Sequence, residues 1–229
     1  MTSFPPSDKT RLRRRPQRGH YDDATIFAVL DAGVICHIAY TIDGEPYVTP
    51  TAYWRDGRRL YWHGSAASRM IATHAAGVKV CVTVSHLDGL VLGRSGFTHS
   101  LLYRSVMAFG RTEAVTDREA KRHAMHAFID RLYPGRPREL RPLHAAELNA
   151  ITVIAMPIDE AAAKIRDGGV IEKEEDFGFP AWAGVIPLRT VIGAPIADAR
   201  LAVDPAPPAT LAAFTAGARL DDVLTKRPR

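Results

Sequence analysis

The chain has 229 residues, 46% of them hydrophobic and 24% charged, which suffices for one substantial core and excludes a disordered or fibrous chain. No apolar run reaches the ~20 residues of a membrane-spanning helix. The opening stretch MTSFPPSDKTRLRRRPQRGH has no apolar segment behind its charges, which argues against a secretory signal. The net charge of +5 resides in residues 1–18, where Lys9, Arg11, Arg13, Arg14, Arg15 and Arg18 face only Asp8, so the remainder is neutral. An Arg-rich arm can bind nucleic acid or an acidic surface, but no aromatic is interleaved with these charges. The expectation is a disordered basic arm over 1–20, with no nucleic-acid or membrane partner. Cys36 and Cys81 sit inside apolar runs, which reads as two buried thiols in a reducing, cytoplasmic setting.

In chain order, Asp22–Ala32 reads as a short helix, with acids at its start, Ile26, Phe27 and Leu30 on one face and Gly33 as terminator. Val34–Thr41 is apolar and β-branched, Asp43-Gly44 is a tight-turn signal, and Tyr47–Trp54 alternates. Asp56-Gly57 turns again into Arg59–His63, which gives a three-stranded meander. A helix is expected over Ser65–Ala75, then strands over Gly77–His86 and Leu90–Arg94 separated by a turn at Asp88-Gly89. Ser100–Phe109 and Glu113–Val115 read as one strand kinked at Gly110, Asp117–Leu132 as a helix and Leu143–Asn149 as a second, short one. Ile151–Pro157 and Ala161–Arg166 close the β-region. Residues 167–181 form a long Gly-rich loop, Trp182–Leu188 is a last apolar segment, and 190–229 is an Ala/Pro-rich tail with a helix near Leu211–Leu224. Short strands with inserted helices and no βαβ repeat predict an α+β fold, mainly β: an antiparallel barrel over 21–189.

The stretch LYWHGSAASRMI at 60–71 carries the most chemistry. A strand ends at His63, Gly64 permits a sharp turn, and Ser65 suits a helix N-cap. Ser65, Ser68 and Arg69 then share the first helical turn, where two hydroxyls and a guanidinium suit a phosphate; a plain Ser cap with a surface Arg is the alternative. Upstream, Pro50 in mid-strand marks an edge or bulge, and Thr49 and Thr51 flank it beside unpaired backbone groups.

Taken together, VTPTAYW at 48–54, LYWHGSAASRM at 60–70, HSLLYRSVMAFG at 99–110 and PAWAGVIPL at 180–188 resemble the pyridoxamine 5′-phosphate oxidase-like superfamily of FMN-binding split barrels. Within it they look most like the flavin-nucleotide-binding branch that includes the nitroimidazole-resistance proteins. The resemblance implies a homodimer with FMN, or alternatively FAD, at its interface. It places Thr49, Pro50 and Thr51 along the isoalloxazine, Trp62 and His63 at the ring edge or ribityl chain, and Ser65, Ser68 and Arg69 on the phosphate. It brings Trp182 over the flavin from the other subunit, with His99 and Ser100 approaching from the partner strand. It also implies an FMN-dependent oxidoreductase. Two departures argue against a true pyridoxamine-phosphate oxidase: Met70 follows the Ser68-Arg69 pair where a basic residue is usual, and the final segment WAGVIPLRT has no Arg-rich substrate motif.

Other readings stay open. A haem-handling split barrel would use His37, His63, His86 or His99 as an axial ligand. A flavin carrier or sensor without turnover fits the same motifs. His123 and His126 share a helix face but lack further ligands for a metal.

Overall fold

A computed structural model describes residues 2–201 and 207–225. Part of the expected C-terminal tail, 202–206 and 226–229, lies outside the described residues. The elements are β1 (Gly19–His20), α1 (Asp23–Asp31), β2 (Ile35–Ile42), β3 (Glu45–Ala52), β4 (Trp54–Asp56), β5 (Arg59–Ser65), α2 (Arg69–Ala75), β6 (Lys79–Leu92) and β7 (Ser100–Arg111). They continue with β8 (Glu113–Ala114), α3 (Arg118–Leu132), α4 (Ala145–Ala150), β9 (Ile151–Pro157), β10 (Glu160–Arg166), β11 (Gly184–Pro187) and α5 (Leu220–Thr225). No helix among the described residues is long and apolar enough to cross a membrane.

Every ladder between these strands is antiparallel, which makes the fold α+β and mainly β. One sheet runs β1-β10-β7-β6-β2-β3, and β11 joins it along β6; the other runs β4-β5-β9-β8. The large core fills the space between them, with Ile26 and Leu30 of α1, Ile38 of β2, Leu60 and Trp62 of β5, Val82, Val106 and Met156. A second cluster on the far side of the smaller sheet packs Trp54, Val153 and half-buried Phe128 beneath α3.

Local chemistry explains most boundaries. Asp22 caps α1 by accepting from the Thr25 amide at 2.8 Å, and Asp117 caps α3 through the Ala120 amide at 2.7 Å. Asp43 and Gly44 both take positive φ, 52° and 85°, which closes the β2–β3 hairpin with the twist its strands require. Gly110 is needed where β7 crosses to the second sheet, because a Cβ there would collide with the Pro157 carbonyl.

Three local expectations change. Asp88-Gly89 is a β-bulge inside a single 14-residue β6, not a hairpin turn. The partner strand β7 is long enough to pair on both sides of it, and Arg104 fixes Asp88 through two hydrogen bonds at 2.9 and 2.7 Å. The helix expected from Ser65 begins at Arg69, because β5 runs on through Ser65 in register with Ile151. Ser68 therefore takes the N-cap position that sequence assigned to Ser65. The third concerns the N-terminal stretch expected to be disordered. Phe4 is buried in the core against Phe27, β1 pairs with β10, and the Phe4 amide donates to the Tyr21 carbonyl at 2.8 Å. One aromatic among polar residues gave no periodic signal, yet a single buried ring is enough to dock a short segment. Both cysteines are free, and they point to opposite faces of the large sheet. Burial pushes the Cys36 thiol up to about 12.

Candidate functional site

At the β3 edge a ladder of rings runs from surface to core. The exposed Arg69 guanidinium stacks on Tyr47 at 4.7 Å from the ring centroid. Tyr47 stacks on Tyr40 at 5.7 Å, and Tyr40 meets buried His74 edge-on at 4.5 Å. Trp62 Nε1 donates to His74 Nδ1 at 3.1 Å, and the Tyr40 hydroxyl lies 3.1 Å from Thr49 Oγ1. Two elements make this corner. Gly64 lets β5 approach α2 closely, since a Cβ there would sit 2.8 Å from the Ile71 side chain. Alternation along β3 turns Tyr47, Thr49 and Thr51 inward and leaves Val48 and Pro50 outside. No carboxylate forms an ion pair with Arg69 among the described residues, so its charge is available to a ligand.

The expected site residues divide into groups. Arg69 reaches this corner through Tyr47 and Thr49 through Tyr40; Ser65 and Ser68 flank the start of α2, and Thr51 follows Thr49 on the inner face of β3 while Pro50 lies on the outer one. Trp62 is 0% exposed and belongs to the core, so its side chain supports the corner through His74 rather than lining a surface. His63 faces the other way, half-buried between Trp54 and Phe128, and burial lowers its pKa. Trp182 is 64% exposed in the segment leading into β11, which excludes a core role. His99 and Ser100 open β7 at a separate pocket of about 350 Å³ lined by Arg14, Arg15, Arg18, Lys164 and Arg166. Sequence reading missed Tyr40, Tyr47 and His74, whose link to Arg69 comes from β2–β3 register. It also missed the basic pocket, which needs the arm docked.

The middle of the large sheet's outer face is largely apolar, with Glu160, Lys164 and Arg166 of β10 along one side. Across one row, Pro50, His37, Thr83, Met107 and Ala162 stand side by side. Val48, Ala39, Cys81 and Phe109 form the next, and Ile35, Leu87, Leu90 and Leu101 extend the exposed apolar surface.

Comparison with known proteins adds to this geometry. A family model described as pyridoxamine 5′-phosphate oxidase matches residues 22–165. The flavocytochrome Anf3 from Azotobacter vinelandii is 41% identical, with 92% of this chain and 98% of that one covered and a TM-score of 0.86. An FAD and haem binding protein from Mycobacterium smegmatis is 33% identical, with 89% and 98% covered and a TM-score of 0.84. The conserved hypothetical protein Rv2991 from Mycobacterium tuberculosis, 15% identical over 72% of this chain and 99% of that one at a TM-score of 0.52, shares the fold alone. No curated protein matches the chain.

Proposed function

The chain belongs to the pyridoxamine 5′-phosphate oxidase family, and from that premise we propose that it is a homodimeric flavin-binding redox protein that also carries haem. The observation that carries the flavin site is the unpaired Arg69 on Tyr47, beside the Thr49–Thr51 edge. A guanidinium held by a ring and free of carboxylates suits a flavin phosphate, and the β3 edge supplies polar backbone to the isoalloxazine. The two sheets are the halves of a split barrel, and the apolar outer face is where a second copy completes the flavin site. Exposed Trp182 fits a contact to that copy. The resemblance of the motifs implies FMN. The FAD-binding relative at 33% identity favours FAD, and Arg69 serves a phosphate of either. The haem rests on the flavocytochrome and the FAD and haem binding relatives. The flavin supplies the redox chemistry when bound, while the protein binds it, orients it and excludes water. Met70 and the absent Arg-rich motif keep the chain apart from pyridoxamine-phosphate oxidation.

Arg69→Ala is expected to weaken FMN binding by about 10- to 150-fold, the worth of one charge-assisted hydrogen bond, at unchanged fold. Riboflavin, which has no phosphate, should bind wild type and variant alike. Fluorescence quenching titrations of both ligands, with circular dichroism beside them, read this difference. FMN affinity equal to that of wild type would move the phosphate elsewhere.

Val48 and Met107 are exposed at 64% and 47% on the outer face. Replacing both by Glu puts like charges opposite one another across a two-fold axis. Sedimentation is expected to show a folded monomer with weakened flavin binding. A dimer that keeps its flavin would place the interface on another face.

A further inference from the structure

The N-terminal arm gathers its charge at one pocket against β10. Pairing of Gly19 with Lys164 lays the arm alongside β10, Arg15 takes a left-handed backbone at φ 60°, and a short 3-10 turn follows at Pro16–Arg18. Arg14, Arg15 and Arg18 thereby line a pocket of about 350 Å³ together with Lys164 and Arg166. No carboxylate pairs with any of these five cations among the described residues, and none of the residues lining the pocket is acidic. Arg166 is 8% exposed, and its Nε has no hydrogen-bond partner among the described residues. Burial, with Arg18 beside it, lowers its pKa. Like charges repel, and a buried guanidinium without a counter-ion is costly, so the grouping is fitted to an anion with more than one negative charge.

The walls of the pocket narrow the ligand. Phe97, in the loop between β6 and β7, is 96% exposed, and Ile171, in the loop after β10, is 60% exposed. One carboxylate ties these two loops together. Glu172 accepts from the Arg94 amide and guanidinium and from Thr98 Oγ1 at 3.3 Å. Its side chain is 1% exposed and fully engaged there, so it leaves the charge of the pocket uncompensated. An exposed ring on an anchored loop is a stacking platform for a planar base. Guanidinium groups converging beside it suit the oxygens of phosphate groups, which they can grip two at a time. The volume lies at the lower end of small-molecule sites, about 300–1,000 Å³, which suits a nucleotide end rather than a large ring system.

We propose that this pocket binds the nucleoside diphosphate group of a second, diffusible ligand, with the phosphates on Arg15, Arg18 and Arg166 and the base on Phe97. Arg69 is not among the residues that line it, so the site is separate from the flavin corner and does not depend on it. An inorganic anion would satisfy the cations and leave Phe97 unused. An uncharged aromatic would cover Phe97 and leave Arg166 without a counter-ion. A nucleoside diphosphate answers both, and the group occurs in free nucleotides and in nicotinamide dinucleotides alike.

The test is calorimetric titration of ADP, and separately of inorganic pyrophosphate, into the purified full chain loaded with FMN. One ADP per protomer is expected, with pyrophosphate bound at least ~5-fold more weakly because it has no base to stack. Arg15→Met and Arg166→Met should each weaken both ligands about 10-fold. Arg15 is exposed, so its variant keeps the test valid if the buried Arg166 variant misfolds. Phe97→Ala should weaken ADP by at least ~5-fold and leave pyrophosphate unchanged. Arg13→Met removes an equal charge outside the pocket and should change neither. Arg69→Ala should lose FMN yet bind ADP as wild type does, so failure of the flavin corner and failure of this pocket are told apart. NADH that displaces ADP identifies the dinucleotide as the source of the group, and ADP binding that NADH leaves untouched identifies the free nucleotide; both uphold the pocket. Equal affinity for ADP and pyrophosphate with Phe97→Ala silent would overturn the nucleotide. No ADP binding to the FMN-loaded chain, or an equal loss in Arg13→Met, would overturn the site. A chain that binds ADP when loaded with FMN but excludes it when loaded with FAD would give the pocket to the flavin and overturn the second ligand.

Discussion

Phe4→Ala is expected to destabilise the protein by about 3–5 kcal/mol, the usual cost of deleting a fully buried aromatic ring. Phe4 is 1% exposed. Its ring meets Phe27 edge-on at 6.3 Å, and the Arg58 guanidinium sits 3.8 Å from its centroid. Arg58 is also paired with Asp23 of α1, so removing the ring loosens a contact set shared by the arm, α1 and the β4–β5 turn. Because the ring anchors a terminal segment, the loss is bounded by what docking of that segment contributes. Urea denaturation reads it directly as a lower midpoint at unchanged slope. A change below ~0.5 kcal/mol, the range of a surface substitution, would contradict a docked arm.

Acid should destabilise the fold through His74. Burial holds this imidazole neutral and pushes its pKa down to about 4 from an ordinary 6.5. Above pH 6.5 both folded and unfolded chains carry it neutral, and it contributes no pH dependence. As pH falls from 6.5 towards 4, the unfolded chain binds a proton that the folded chain refuses, so stability drops with falling pH across that window. The loss by pH 4.5 comes to about 2–3 kcal/mol. His74→Gln does not titrate and can still accept from Trp62 Nε1, so it should flatten the profile between pH 7 and 4.5 by that amount. Matched slopes in wild type and variant would show that His74 is charged inside the fold.

Much of the architecture is legible in sequence because local chemistry and register agree there. The helix at 22–32, the Asp43-Gly44 hairpin, and the strands at 151–157 and near 161–166 each have a cap, a turn or an alternating pattern that fixes them. Asp88-Gly89 misleads because a bulge and a hairpin turn share the same residues; only the length of β7, a partner distant in sequence, decides between them. Ser65 misleads in the same way. Its pairing with Ile151 comes from a strand far along the chain and outcompetes a local cap. At the site, Arg69 and the Thr49–Thr51 edge are legible as motifs, whereas the Tyr47–Tyr40–His74 ladder exists only once β2, β3 and α2 are packed. The basic pocket was hidden for a related reason. Charges in a tail read as solvated until the lone Phe4 is seen to dock it.

The central claim is that the Arg69 corner holds a flavin. Its most direct test is the visible absorbance spectrum of the purified chain after saturation with FAD or FMN and removal of free ligand. Heat release and mass spectrometry then identify what was bound. A retained two-band flavin spectrum with one flavin per protomer in wild type, and its loss in Arg69→Ala at unchanged circular dichroism, is the predicted result. A wild-type chain that emerges from the same treatment without flavin, or an Arg69→Ala chain that keeps its full complement, would contradict it.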